Sequence, residues 1–166
     1  MCEIRKKNNA AIYILSKLYD GSQALFDNEK NVKLMKLIYL TYIQYISLFN
    51  PHTIPDNSPL KEFKFYAWDR GGVEIDLYDN FGYIRRSVKG FLTAREELRA
   101  NDFGFQPHEI NEINRAIQTI RRYIAYEVEA LVKLVHQDNT EWRKTPKFER
   151  MLFANGYDKE IEIVLQ

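Results

Sequence analysis

The residues best suited to metal binding and redox chemistry are few and widely separated. The three histidines are His52, His108 and His136, and none stands in an HxxxH, HxH or HExxH arrangement. Cys2 is the only cysteine, so the chain can form neither an internal disulfide nor a CxxC redox pair. The sequence therefore predicts no metal site and no cysteine-based chemistry.

Motifs for nucleophilic catalysis and phosphate binding are also missing from the sequence. There is no GxSxG, and the pair Gly71-Gly72 lacks the context of a GxxxxGK[ST] or GxGxxG loop, so we interpret it as a tight turn. General acid–base catalysis needs carboxylates held in a dry cleft. The acids around this turn instead fit a solvated helix face, and we expect no catalytic residue and no cofactor. These acids are Asp69, Glu74, Asp76 and Asp79.

Two clusters of cations could contact phosphates or an acidic protein surface. In a helix, Arg85 would stack with Lys89, and Arg95 with Arg99. The chain has 24 Lys and Arg against 23 Asp and Glu, and a net charge of +1 disfavours a nucleic-acid binder. We therefore interpret the first cluster as either a basic interaction surface or an ordinary solvated helix face. The first cluster is Arg85, Arg86, Lys89, Arg95 and Arg99; the second is Arg143, Lys144, Lys147 and Arg150.

A histidine and a tryptophan near the end of an apolar segment form a further candidate. His136 precedes Trp142 by one to two helical turns. A buried indole N–H needs an acceptor, and a neighbouring imidazole nitrogen can supply one. We interpret this pair as a polar clasp between helices.

Hydrophobic periodicity indicates the elements that position these residues. It predicts helices over 9–19 and about 32–49, the second with Asn31 as its N-cap. The second helix is apolar on nearly every face, which is typical of a central, surrounded helix. The aromatic run 63–68 fits either a strand or a helix, and the turn after it is followed by a predicted short helix over 73–81 that closes near Gly82.

The second half of the chain shows a longer helical rhythm. A helix is predicted to open at 106–109 and to run to His136, with a break near 122–126. Thr140 is a candidate cap for a short turn that holds Trp142. Residues 161–165 fit a strand or a docked tail.

Length and composition favour one globular unit. With 166 residues, 45% of them apolar, the chain can build a core and does not fit intrinsic disorder. The expected fold is mainly α: a compact single domain over 1–166, with about seven short helices around a central apolar helix and little or no β structure. No signal peptide and no apolar stretch of the ~20 residues that a membrane span needs is present, so a cytoplasmic protein is expected.

Three segments resemble the Panacea antitoxin domain family, which includes SocA-like antitoxins and phage-associated GepA-like proteins. Residues 33–40 (KLMKLIYL) are similar to its KLQKLLYL helix, and 67–78 (AWDRGGV followed by LY) to its AWxxGPV…Y block. Residues 126–142 are similar to its Y…L…LTHxxxPW block. This chain departs from the pattern in having Gly72, Val135 and Glu141 where the family has Pro, Thr and Pro.

The resemblance marks a motif core with a structural or partner-binding role, and we expect its aromatic members to be mostly structural. The motif core is Lys36, Tyr39, Trp68, Asp69, Gly71, Val73, Tyr78, His136 and Trp142. The resemblance further implies an antitoxin in a toxin–antitoxin system that neutralises a cognate toxin, encoded next to it, by direct complex formation. SocA-like members are also linked to a Clp-type protease. It implies no enzyme activity and no nucleic-acid or membrane partner.

Other functional classes stay open at the level of sequence. One is a proteolytic adaptor or regulatory protein of phage or prophage origin that does not neutralise a toxin. Another is a small enzyme with a cleft near His136 and Asp69 or Glu74 as its partner. The last is a nucleic-acid-binding protein that uses the cation clusters.

Overall fold

The helix over residues 31–47 is the element around which the rest of the chain packs. The structure is a computed structural model that describes residues 3–153 and 157–165. The α-helices are α1 (Glu3–Leu18), α2 (Gln23–Asp27), α3 (Asn31–Ser47), α4 (Ile75–Asp79), α5 (Phe81–Ala94), α6 (Ile110–Ile120), α7 (Val128–Val135), α8 (Glu141–Lys144) and α9 (Tyr157–Val164). The strands are β1 (Phe65–Trp68) and β2 (Gly71–Glu74). Short 3-10 helices cover Pro59–Glu62, Ala100–Phe103, Pro107–Glu109 and Arg121–Ala125.

The mainly α class and the central position of α3 are confirmed. Helix α3 contacts α1, α6, α7, α9 and β2, and nearly all of its side chains are buried. A helix that is apolar on most faces gains hydrophobic burial only when other elements cover each face. Its N-cap is Lys30, so Asn31 is the first helical residue rather than the cap.

The predicted helix over 73–81 is wrong at both ends. Val73 and Glu74 belong to β2, which pairs antiparallel with β1 so that Trp68 faces Gly71 and Tyr66 faces Val73. Backbone pairing with β1 overrides the local helical pattern at these two positions. At the other end, α5 starts at Phe81 and runs on through Gly90.

Glu74 is buried, which corrects the expectation of a solvated acidic face. Its side chain is 1% exposed and lies 2.9 Å from the ammonium of Lys7. Its carboxylate also accepts hydrogen bonds from the backbone N–H groups of Lys64, Asp76 and Leu77, which caps the N-terminus of α4. Glu74 therefore joins α1, the hairpin and α4.

The segment that follows α8 covers the free edge of β1. The N–H of Phe148 donates to Ala67 O at 2.6 Å, and the N–H of Ala67 donates to Glu149 O at 2.9 Å. The N–H of Met151 donates to Phe65 O at 2.8 Å. These bonds satisfy backbone groups that an unpaired edge would expose.

Several local signals in the second half are confirmed. A capping box joins Gln106 and Glu109 ahead of α6, and the 3-10 turn over 121–125 interrupts the long helical rhythm. Thr140 Oγ1 accepts the N–H of Arg143 and so caps α8. The strand alternative for residues 161–165 is wrong, because α9 covers 157–164 and packs on α3. Among the described helices, none has the length and hydropathy that crossing a membrane requires.

Candidate functional site

A pocket of about 210 Å³ lies between the first half of α3 and the β-hairpin. Its lining is mostly apolar and aromatic. The apolar and aromatic residues are Val32, Met35, Trp68, Val73, Tyr78 and Phe148. Lys36 and Arg70 contribute cations, and Asp69 contributes the acid. This pocket brings together the first and second of the three segments that carry the family resemblance.

Lys36 places an amine in this largely apolar setting. The residue is 2% exposed. Within residues 3–153 and 157–165, its Nζ has neither a carboxylate within ion-pair distance nor a hydrogen-bond acceptor. Burial, and then repulsion from Arg70, lower the pKa of Lys36 to about 7.

Gly71 makes the room that the Lys36 amine occupies. Its φ of +127° is a conformation that residues with a side chain rarely adopt. A β-carbon at this position would overlap Lys36 Nζ and would lie 3.3 Å from Val135 Cγ2. Glycine is therefore required here for two reasons: the positive φ of the backbone, and the space that the Lys36 amine occupies.

The third segment of the resemblance packs beside Lys36. The rings of His136 and Trp142 are stacked, with centroids 3.5 Å apart and planes 9° from parallel. The clasp between them differs from the prediction, because the indole N–H of Trp142 donates to Trp68 O at 2.7 Å rather than to the imidazole. Stacking places the imidazole face, not its nitrogen edge, against the indole.

His136 is held as a neutral imidazole. Burial, and then the charges of Lys36 and Arg143, lower the pKa of His136 to about 4. The guanidinium of Arg143 donates to His136 O, which fixes the end of α7. The Nε2 atom of His136 is buried without a hydrogen-bond partner among the described residues.

Three aromatic rings form a continuous surface at the pocket, which we call the aromatic cluster: Trp68, Tyr78 and Phe148. The Trp68 ring centroid lies 5.2 Å from that of Tyr78 and 6.3 Å from that of Phe148. Tyr78 is 49% exposed and Phe148 58%. Tyr78 is therefore a half-exposed ring packed on Trp68 and not a core residue. Helix α4 is a single short turn on the hairpin, and it leaves this ring on the surface.

Sequence reasoning missed Phe148. Its φ of +70° is unusual for a bulky residue. Hydrogen bonds between the Phe148 backbone segment and Ala67 hold it there, and Lys147 lies over its ring. No local motif marks this position in the sequence. The place of Phe148 beside Trp68 becomes visible only when its segment is paired with Ala67 in the structure.

The remaining motif residues lie apart from the aromatic cluster or at its edge. Tyr39 is buried, and its hydroxyl donates to Glu160 at 2.9 Å, so it is part of the core rather than the pocket. Asp69 is exposed and pairs with Lys147 at 2.5 Å. Neither Asp69 nor Glu74 contacts His136, so the predicted acid partners of a histidine-based active site are not brought to it.

The first cation cluster is divided rather than continuous. Arg85 donates to Asn31 at the pocket edge and lies over the ring of Phe26, and Lys89 lies 3.7 Å from Asp27. Arg95 ends α5 in a left-handed conformation, so Arg95 and Arg99 do not stack on one helix. The exposed cations are Arg86, Lys89, Arg95 and Arg99.

In the described ranges 3–153 and 157–165, no group of three or more His, Cys, Asp or Glu side chains is placed to hold a metal ion. Comparison of the chain with protein-family models, with curated proteins and with solved structures finds no match.

Proposed function

We propose that this chain is an antitoxin-like protein-binding module that neutralises a partner toxin in the cytoplasm by direct complex formation. The observation that carries the proposal is the convergence of the three resembling segments. Lys36, Gly71 and Val135 are far apart in the chain, yet Lys36 Nζ and Val135 both lie against Gly71. Lys36 also lines the pocket between α3 and the hairpin, so the three segments meet beside that pocket.

The aromatic cluster supports protein binding as the mode of action. Exposed aromatic rings that form a contiguous patch are typical of protein interfaces, where Tyr, Trp and Phe are enriched. Phe148 and Tyr78 flank Trp68 and offer large contact area with few rotatable bonds. We therefore propose the aromatic cluster as the centre of the docking surface.

Charges beside the aromatic cluster indicate the chemistry of the partner. Lys147 and Arg143 of the second cation cluster are exposed next to Phe148 and Trp142, and Arg70 lies in the hairpin turn. Asp69 pairs with Lys147, and Glu129 pairs with Arg70. An acidic rim on the toxin would therefore complement Arg143 and would compete with these two acids for the other two cations. The toxin is proposed to be encoded next to this chain, and a Clp-type protease is proposed as a second partner.

Co-expression with the adjacent reading frame tests this proposal. We expect the neighbour to arrest growth when it is expressed alone, to be harmless beside this chain, and to co-purify with it. A neighbour that is harmless alone, or one that stays toxic and never co-purifies, would contradict the proposal. Capture of a protease chaperone without any toxin would favour the adaptor function instead.

A further inference from the structure

We propose that the pocket between α3 and the hairpin binds a small carboxylate ligand. The ligand would carry an apolar group of about one aromatic ring, and its carboxylate would pair with the ammonium of Lys36. This site does not depend on the toxin partner, since the pocket and its cation belong to this chain alone.

The first argument is a buried cation without an anion. Lysine is rarely buried in proteins unless its charge is paired. Lys36 is 2% exposed, and no described carboxylate lies within ion-pair distance of it. The contrast with Lys7 and Lys33 is direct, because both are buried and both pair with glutamate at 2.9 Å. An anion entering the pocket would supply the partner that Lys36, unlike Lys7 and Lys33, lacks among the described residues.

The second argument is the balance of charge around the pocket. Besides Lys36, its lining holds Arg70 and Asp69. Asp69 is paired with Lys147 at 2.5 Å, and Arg70 is paired with Glu129. These rim charges are therefore compensated, and Lys36 is the lining residue whose amine has no carboxylate partner among the described residues.

The third argument is that the amine is positioned by the fold. The missing β-carbon of Gly71 leaves the space that Lys36 Nζ fills, beside Val135. Three separate elements, α3, β2 and α7, thus define where the amine stands.

The fourth argument is size and polarity. The pocket measures about 210 Å³, whereas an apolar cavity of about 150 Å³ already admits benzene. The remaining space accommodates a short linker and one carboxylate. Trp68, Val73 and Met35 supply apolar walls for a ring, and the exposed rings of Tyr78 and Phe148 lie at the rim.

Titration of the full chain with 3-phenylpropionate and with 3-phenylpropionamide tests this site. The two probes differ only in charge, and calorimetry together with tryptophan fluorescence reports binding beside Trp68. We expect the acid to bind at least about tenfold more tightly than the amide, since a charge-assisted pair is lost in the amide. Equal affinity of acid and amide would overturn the proposal without any need for a variant.

Lys36→Met provides the second arm, with Lys89→Met as the matched control on an exposed lysine. We expect Lys36→Met to weaken binding of the acid at least about tenfold and to leave the amide unchanged, and Lys89→Met to change neither. Undiminished binding of the acid by Lys36→Met would contradict the assignment.

A capped dipeptide that ends in Phe with a free carboxylate distinguishes a protein chain end from a small molecule. If this peptide binds and 3-phenylpropionate does not, the pocket takes a protein C-terminus and the small-ligand proposal is overturned. Loss of toxin neutralisation with intact 3-phenylpropionate binding would leave this site standing and refute only the proposed function.

Discussion

Lys36 holds an amine where folded proteins usually place an apolar side chain. The cost of removing an ammonium group from water is several kcal/mol when no anion compensates it. The folded chain reduces this cost by releasing the proton, which is why the pKa of Lys36 falls to about 7. The free energy of unfolding should therefore depend on the protonation of this one residue.

Stability is expected to depend on pH through Lys36. Its pKa is about 7 in the folded chain against 10.5 for an ordinary lysine. Between these values the unfolded state binds a proton that the folded state lacks, so the free energy of unfolding rises with pH by up to about 1.4 kcal/mol per unit. Denaturant unfolding between about pH 7 and about pH 9 should show wild type gaining stability relative to Lys36→Met.

The comparison of wild type with Lys36→Met removes contributions that both proteins share. The pKa of His136 is about 4, so this imidazole stays neutral throughout the window. Burial raises the pKa of Tyr13 to about 12, and its contribution is the same in both proteins. A difference in unfolding free energy that stays constant with pH would contradict a depressed pKa for Lys36.

At the level of single residues, some side-chain contacts can be predicted from the sequence and others cannot. His136 and Trp142 are paired as predicted because a short helix end brings them together. Their hydrogen bonding was predicted wrongly, because the Trp142 acceptor is a carbonyl of the distant residue Trp68. Among the described residues, no carboxylate pairs with Lys36. This depends on how distant elements pack, which residue spacing does not predict.

At the level of elements, the hairpin and its contact with α3 define the pocket. Gly71 is the point where β2 passes over Lys36. Gly71 is required for two separate reasons: its positive φ, and the lack of space for a β-carbon. The two effects on stability can be separated because another glycine has a positive φ but enough space for a β-carbon. Gly104 has a φ of +94° with open space around it.

Gly71→Ala is expected to destabilise the fold more than Gly104→Ala. A strained backbone costs both variants about 1–3 kcal/mol, but only the β-carbon added by Gly71→Ala would also overlap the Lys36 amine. Urea unfolding of the two variants measures the difference. In a Lys36→Ala background most of the extra cost of Gly71→Ala should disappear, and the contact of the added β-carbon with Val135 Cγ2 at 3.3 Å should remain. An equal cost of the two glycine substitutions in the wild-type background would refute close packing of Lys36 on Gly71.

Elements with local signals were predicted well, and elements that depend on distant pairing were not. The apolar periodicity of α3 and the cap at Thr140 are properties of neighbouring residues. The extended conformation of Val73 and Glu74 comes from pairing with β1, and the position of Phe148 comes from pairing with Ala67. These contacts join distant segments, and the local sequence of either segment does not predict its pairing with the other.

At the level of the whole molecule, a net charge of +1 conceals an uneven surface. The aromatic cluster is bordered by Lys147 of the second cation cluster, whereas Arg95 and Arg99 of the first lie beyond α5. A partner that docks on the aromatic cluster therefore meets cations from the C-terminal half of the chain. This arrangement is the physical basis for proposing that the chain binds a protein.

The dissociation constant of the complex with the adjacent toxin, measured for Phe148→Ala against Tyr126→Ala, tests this account most directly. Phe148 is 58% exposed in the aromatic cluster, and Tyr126 is 44% exposed but packs on Tyr123 instead. Both substitutions should change stability by no more than about 0.5 kcal/mol. We predict that Phe148→Ala weakens the complex by about 2 kcal/mol, roughly thirtyfold, and that Tyr126→Ala leaves it unchanged. Equal affinity of the two variants and wild type would contradict docking through the aromatic cluster.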